Sequence, residues 1–248
     1  MTRSSLDVLV IADLHYVDKA DHVCSIERRK SDLGPLLVKG AFQRLRDDGV
    51  DVGLAILLGD VVDNGLADGA GADVEAVAET ARGLGVPVLA VPGNHDGEYG
   101  RFATAFACGP GLHEVGGYGF LVFHDHVGDG DVTTRPPAPL DLPARVAVRQ
   151  TLPLVALQHN PLYVARQHDY PYALANAGAV LDGYREAGIV LSLSGHYHPG
   201  QPLCEVRGVP CYTVPAACER PFCFAHVRLE GRKALVTELA LERGECDE

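Results

Sequence analysis

"LAILLGD" (residues 54–60) runs straight into Val61-Val62-Asp63-Asn64-Gly65. An unbroken apolar run this short reads as a strand buried on both faces, because a strand with one wet face would alternate apolar and polar residues. It stops at a glycine and an aspartate, with a second aspartate three residues on. The same form recurs on either side. "DVLVIAD" (7–13) precedes it; "VPVLAVPG" (86–93), "GFLVFHD" (119–125), "LPLVALQH" (152–159) and "GIVLSLSGH" (188–196) follow. "KGAFQRLRDDG" (39–49) and "DVEAVAETARGLG" (73–85) have helical spacing and end at glycines. The tail from Gln201 to Leu241 reads as strand hairpins, broken at Gly208-Val209-Pro210 and at Gly231-Arg232. The alternation is that of an α/β protein, and with no internal repeat or linker the whole chain, 1–248, reads as a single domain.

Composition narrows the function classes. The chain is 47% hydrophobic and 22% charged, as expected for a soluble globular protein, and no apolar run approaches the roughly eighteen residues of a membrane span. The apolar run at the N-terminus is too short for a signal peptide, so a cytoplasmic location is expected. A formal net charge of -12 repels a phosphate backbone, so no long nucleic acid is expected as partner. Small anionic substrates remain compatible, because a bound metal inverts the local field. Seven cysteines occur without a C-x-x-C pair, and read as buried reduced thiols. There is no P-loop and no G-x-S-x-G elbow.

The polar residues gather where the strands end. The first ends in Asp13-Leu14-His15, the second in Gly59-Asp60-Val61-Val62-Asp63, the third in Gly93-Asn94-His95-Asp96. Later strands end at His159 and at Gly195-His196-Tyr197-His198. Carboxyl ends of strands are where open α/β sheets bind ligands. In extended chain the two polar residues of D-x-H or H-x-H point the same way, with Tyr197 pointing away, and glycines 59, 93 and 195 give the backbone room to turn. Mixed carboxylate and imidazole without thiolate favours Mn, Fe or Zn over a closed structural zinc site. Two divalent ions about 3.5–4 Å apart need a carboxylate between them, and Asp60, central in the series, is the candidate.

In that order, D-x-H, G-D-x-x-D, G-N-H-D, H and G-H-x-H resemble the calcineurin-like metallophosphoesterase superfamily, over residues 13 to 198. The resemblance implies a four-layer α/β/β/α sandwich of two mixed sheets flanked by helices, with a two-metal centre at the strand ends. By position, Asp13, His15, Asp60 and His198 would bind one metal, and Asp60, Asn94, His159 and His196 the other. His95 would be the general acid or a stabiliser of transition-state charge, and Asp63 would hydrogen-bond it and fix its orientation. The nucleophile would be a water or hydroxide held between the metals, attacking phosphorus in line.

Departures from the family's branches refine the expectation. Asn64 stands where protein Ser/Thr phosphatases carry a phosphate-binding arginine, Asp96 stands in place of their glutamate, and the lipid-A precursor pyrophosphatases tend to carry arginine where His95 stands. What remains resembles the small bacterial phosphodiesterases, acting on a small nucleotide-like or other small-molecule phosphodiester. The alternatives are a phosphomonoesterase with the same centre, a nuclease, and a non-catalytic scaffold.

Asn64, Tyr16 and His126 are the candidates for touching substrate. Tyr16 either stacks on a base or packs in the core. His124-Asp125-His126 looks like a further ligand triplet at a strand end, but the five blocks already fill two metal shells, so strand-end or substrate-facing histidines are the preferred reading. "ERRK" (27–30) reads as a solvated charged run, with Arg28 or Arg29 reaching a substrate phosphate as the alternative. His22 and His168 are expected in loops. The loops from Tyr16 to about Pro35 and at 128–143 are long enough to be functional. "CYTVPAACERPFCFAHV" (211–227) is apolar enough to permit a homodimer.

Overall fold

A computed structural model describes residues 5–18, 26–167 and 169–241, so His22 and His168 lie outside the described residues. The first sheet takes β1 (Ser5–Ile11), β2 (Val52–Leu58) and β3 (Val88–Val91) in parallel. The tail hairpin β12 (Cys223–Glu230) and β13 (Lys233–Ala240) joins it antiparallel on the other side of β1, giving the order β13-β12-β1-β2-β3.

The second sheet runs β10-β11-β9-β8-β5-β4. Its strands are β4 (Gly111–Val115), β5 (Tyr118–Val122), β8 (Leu154–Leu157), β9 (Leu191–Ser194), β10 (Gln201–Val206) and β11 (Val209–Thr213). Strands β5, β8, β9 and β11 are parallel, so their carboxyl ends share one edge. A ribbon of β6 (His126–Val127) and β7 (Thr133–Thr134) stands apart.

Helices α1 (Gly34–Asp47), α2 (Ala70–Arg82) and α3 (Tyr99–Phe106) pack in series against the first sheet. Helices α4 (Pro137–Leu140), α5 (Leu142–Ala147) and α6 (Ala177–Ala187) cover the second. The result is the expected α/β/β/α sandwich. Strands of the second sheet divide by parity: Phe120, Val122, Val155 and Leu157 enter the core shared with the first sheet. Their neighbours Leu121, Phe123, Leu154 and Ala156 enter a separate core with Val180, Leu181 and Tyr184 of α6. A period-2 chain filling two cores has no polar face left, which explains the unbroken apolar runs.

Several elements depart from the sequence reading. Helix α1 starts at Gly34 with Pro35 in its first turn, where a missing N–H costs nothing, five residues before the expected start at Lys39. Strand β4 and helices α3 and α6 were not foreseen. Gly178 and Gly183 inside α6 each cost about 1 kcal/mol against alanine, so its burial against the second sheet, rather than propensity, holds it helical. The stretch 128–143 is not an irregular loop: it contributes β7, α4 and the start of α5. The apolar 211–227 segment is consumed within the chain, most of its side chains being buried between β9, β1 and β13. Cys108, Cys211, Cys218 and Cys223 are free and buried; Cys204 is free and half-buried.

Candidate metal centre

The polar strand ends converge because β1 and β2 continue to pair beyond their regular ladder. Asp13 N–H donates to the Gly59 carbonyl (3.1 Å), and His15 N–H to the Asp60 carbonyl (2.8 Å). From the other sheet, Gly195 N–H reaches the His159 carbonyl at 2.9 Å. The sheets are then joined through a side chain: His196 N–H donates to Asp13 Oδ2 at 2.9 Å.

The chain is not extended at this point, contrary to the alternation expected from sequence. Asp13 (φ 56°), His15 (φ 46°), Asp60 (φ 49°) and His196 (φ 66°) all occupy the left-handed region. That region is costly for residues with a Cβ and is retained where surrounding structure enforces it, most often at functional sites. Tyr197 does not point away either; it lines the cavity beside the cluster. The glycines have the expected role at its tightest points: a Cβ on Gly93 would lie 2.1 Å from Asp60 Oδ1, and one on Gly59 would lie 2.5 Å from His159 Nδ1.

Donor atoms gather in two groups bridged by a third, formed by His15, Asp60 and His95. Ligand atoms of Asp13, His15 and His198 lie within 4.8 Å of one another, as do those of Asp60, His159 and His196. His15 Nε2 faces His198 Nε2 at 3.2 Å, and His159 Nε2 faces His196 Nδ1 at 3.0 Å. Asp60 Oδ2 stands between the groups, 3.6 Å from His15 Nε2 and 3.3 Å from His159 Nε2. Its other oxygen accepts from His95 N–H at 2.9 Å. Asn94 Oδ1 and His196 Nε2 are buried without a partner among the described residues. Opposed imidazole nitrogens and an orphaned amide oxygen are what a cation would satisfy, so the donor set fits two metal ions sharing Asp60.

The outward nitrogens are oriented by partners that sequence reasoning missed. His159 Nδ1 lies 2.7 Å from the Leu58 carbonyl, which fixes the proton there and leaves Nε2 for the cluster. His198 Nδ1 bonds the carboxylate of Glu219, whose own acidity is increased, against the opposing effect of burial, by His198 and Arg28. Asp96 accepts from Gly93 N–H (2.7 Å), Val61 N–H (2.8 Å) and Val62 N–H (3.1 Å), tying the second and third strand-end loops together. Burial and the Asp60 charge push its carboxyl up to about 7, with the Gly93 and Val62 amides opposing. A buried carboxylate cradled by backbone amides has no spacing signature. In sequence Asp96 was visible only as the last residue of its block.

Electrostatics within the cluster are strongly coupled. Burial alone would raise the Asp60 pKa, but the His159 imidazole holds it well below the ordinary carboxylate range. Reciprocally, burial opposes protonation of His159, yet Asp60 raises it to about 10. His196 is lowered to about 3 by burial and by His159, and His15 is lowered by burial. Burial thus disfavours a charge on those two imidazoles, while Asp60 favours one on His159.

His95 Nδ1 meets the backbone carbonyl of Asp63, while the Asp63 carboxylate accepts from Arg29 at 3.1 Å and lies 3.5 Å from His15 Nδ1. The expected carboxylate–His95 contact is thus replaced by a carbonyl, because Arg29 and His15 claim the carboxylate. The His95 ring meets the His15 ring edge-on at 4.6 Å, and its ligand atom is as close to His15 and Asp60 as a metal donor would be.

A cavity of about 450 Å³ opens over the cluster. His95, Asn94, His196, His198, Arg28 and Arg29 are among its lining residues. Arg29 is only 11% exposed, so "ERRK" is not a uniformly solvated run; Arg28, 68% exposed and paired with Glu219, keeps that character.

Other sequence candidates fall elsewhere. Tyr16 is buried, packs on Gly34 and donates its hydroxyl to Asp18, which is the packing reading. Asn64 is exposed, accepts from Leu66 N–H at 3.1 Å in a local turn, and is absent from the cavity wall. His126 is exposed and lines a neighbouring cavity of about 260 Å³ with Asn94 and Tyr99. Asp125 is occupied by the buried Arg135, through Nε–Oδ1 (2.7 Å) and Nη2–Oδ2 (2.8 Å) contacts, so the H-D-H triplet forms no donor group among the described residues.

A family model described as calcineurin-like phosphoesterase matches residues 6–200. No curated protein matches the chain. Among solved structures, a dimetal phosphatase from Danio rerio is similar over 96% of this chain and 99% of its own, with TM-score 0.72 at 17% identity. A Thermus thermophilus protein is similar over 97% and 100%, with TM-score 0.66 at 13% identity. A purple acid phosphatase from yellow lupin (Lupinus luteus) seeds matches 98% of this chain and 52% of its own, with TM-score 0.66 at 15% identity. At these identities the structural likenesses establish the fold.

Proposed function

The chain belongs to the calcineurin-like phosphoesterases and is a metal-dependent phosphoester hydrolase; from that premise we propose that it cleaves a small phosphodiester at a dinuclear centre built on Asp60. The observation that carries this reading is the pair of facing-imidazole contacts, at 3.2 and 3.0 Å, on either side of one carboxylate at the base of an open cavity. Asp13, His15, Asp60 and His198 would hold one ion, and Asp60, Asn94, His159 and His196 the other. When bound, the ions acidify water toward neutrality and offset charge on the phosphoryl oxygens.

The chain's own residues complete the reaction. The oxygen of water attacks phosphorus opposite the leaving group and releases a proton to solvent, the ester P–O bond breaks, and the departing oxygen takes a proton from His95, which solvent then restores. The Asp63 carbonyl orients His95 for that transfer, so Asp63 acts through its backbone there and through its carboxylate on His15 and Arg29. Arg29, partly buried on the cavity wall, would contact a phosphoryl oxygen there.

The pairing of the wall's arginines supports a diester over a monoester. Arg29 is already paired with Asp63, and Arg28 with Glu219, so beyond the ions the side chains of the wall add little unbalanced positive charge. A diester carries one negative charge and asks for less. Hydrolysis of bis-p-nitrophenyl phosphate with Mn²⁺ should exceed that of p-nitrophenyl phosphate at equal concentration. Faster turnover of the monoester would give the phosphomonoesterase reading instead, and cleavage of single-stranded DNA at low salt would favour a nuclease. His95→Ala should keep its metal and lose about 10²–10⁴-fold in kcat; full activity in that variant would overturn the proton-transfer role.

A further inference from the structure

Three tyrosines stand on one side of the cavity. Tyr170 and Tyr172 come from the stretch after β8, and Tyr197 lies between His196 and His198. Their rings form one cluster: Tyr170 to Tyr197 at 5.0 Å, Tyr170 to Tyr172 at 5.7 Å, and Tyr172 to the His196 ring at 5.8 Å. All three pairs are edge-to-face at 72–78°, not parallel stacks.

The cluster is held in place at its base. Tyr170 donates its hydroxyl to the His196 carbonyl at 3.4 Å. Asn160, next to His159, donates its amide to the Tyr172 carbonyl at 2.9 Å, and Leu174 N–H reaches the Pro161 carbonyl at 2.9 Å. Backbone that carries the donor histidines therefore also carries the tyrosines. At the other extreme Tyr172 is 40% exposed while still lining the cavity. A large aromatic residue left partly in water, beside a polar centre and on a pinned backbone, retains apolar surface that folding has not buried.

From this arrangement we infer that Tyr170, Tyr172 and Tyr197 form a subsite for a planar aromatic ring carried on the scissile phosphate, as in a nucleobase- or aryl-bearing ester. The inference rests on the phosphoesterase reading, since the ring is delivered by a phosphoryl group held over the donor cluster. Stacking on tyrosine suits any flat π surface and contributes affinity without base-specific hydrogen bonds. The cavity, about 450 Å³, falls within the range of small-molecule sites and has room for a ring beside the phosphoryl group. Tyr172 is the specificity-determining residue, because it is the exposed member.

The test uses phosphonates, whose C–P bond is not hydrolysed, against the Mn²⁺-loaded protein in calorimetry. Phenylphosphonate and cyclohexylphosphonate match in size and anchor but differ in planarity. Phenylphosphonate should bind about tenfold more tightly, on the order expected for one ring stacked on an aromatic side chain. In Tyr172→Leu, which keeps apolar bulk at a half-open position, that ratio should fall to within about twofold of one. Equal affinities in the wild-type protein, or a preference surviving in both Tyr172→Leu and Tyr170→Leu, would overturn the subsite while leaving the hydrolase intact. Failure of even ethylphosphonate to bind would instead overturn the parent reading, and the subsite with it.

Discussion

Asp60 and Asp125 are both buried carboxylates that follow a strand and stand among histidines, yet the fold uses them oppositely. Asp60 faces His15 and His159 at hydrogen-bonding or slightly longer distance, between two pairs of opposed imidazole nitrogens. Asp125 faces the guanidinium of Arg135, which also bonds the Tyr184 hydroxyl and lies over the Phe123 ring at 3.6 Å. Burial works against that guanidinium, but Tyr184 and Asp125 hold it protonated. A buried carboxylate must be compensated; an arginine does it permanently, whereas an imidazole can give up its proton to a cation that takes over the compensation. The lesson is that residue type and strand-end position are shared by the two regions, and the partner decides which can hold a metal.

The comparison is most directly broken at Asp60. Asp60→Asn removes the shared charge, and the expected outcome is loss of bound metal together with a fall in turnover of about 10³-fold or more, since metal stabilisation of the reacting charges is worth several kcal/mol. Metal analysis of the purified variant beside its kcat checks it; retained metal at wild-type stoichiometry would mean that the carboxylate is not the bridge.

The converse experiment strands the other carboxylate. Arg135→Met leaves Asp125 buried without its partner, and a broken buried pair typically costs about 3–5 kcal/mol. Urea unfolding should show that loss, while metal content per folded molecule should stay at the wild-type value. A drop in metal content with unchanged stability would invert the assignment of the two regions.

The smallest effect sharpens the electrostatic side. In the metal-free protein the His159 pKa is raised from 6.5 to about 10, so its part of the ion pair is fully present below 6.5 and is lost as pH rises through about 10. Asp60 is lowered, so its part is present above the ordinary carboxylate range and lost as pH falls through its depressed value. Between those limits, metal must displace the His159 proton. Apparent metal affinity should therefore rise by about tenfold per pH unit from 6.5 toward 9, with proton release visible as a buffer-dependent heat of binding. Affinity that did not change over that interval would show that His159 is already neutral.

Much of this was legible beforehand because the signals are local. Strands β1, β2, β3, β8 and β9 announce themselves as apolar runs ending in polar residues, and the order of the five blocks carries the family resemblance. Glu219, Asp96, Arg29 and Arg135 were not assigned their partners, since each makes a bond to a group 10 to 35 positions away. The expected Asp63–His95 contact had the right residues and the wrong atom, because which oxygen faces the imidazole depends on what else competes for the carboxylate.

By itself the amino-acid sequence determined the α/β class, the two-face burial of the central strands and the polar residue types at the strand ends. Those properties follow from side-chain period and chemical type, which need no knowledge of distant contacts. Only the tertiary structure decided that Asp13, His15, Asp60 and His196 would sit at left-handed φ, that Asp60 rather than Asp125 would face imidazoles, and that three tyrosines would stand beside them. Strain at four residues is tolerable because the joined ends of two sheets enforce it, and charge compensation is set by whichever partner packing brings within reach. Both are consequences of three-dimensional proximity, to which the linear order of residues gives no direct measure.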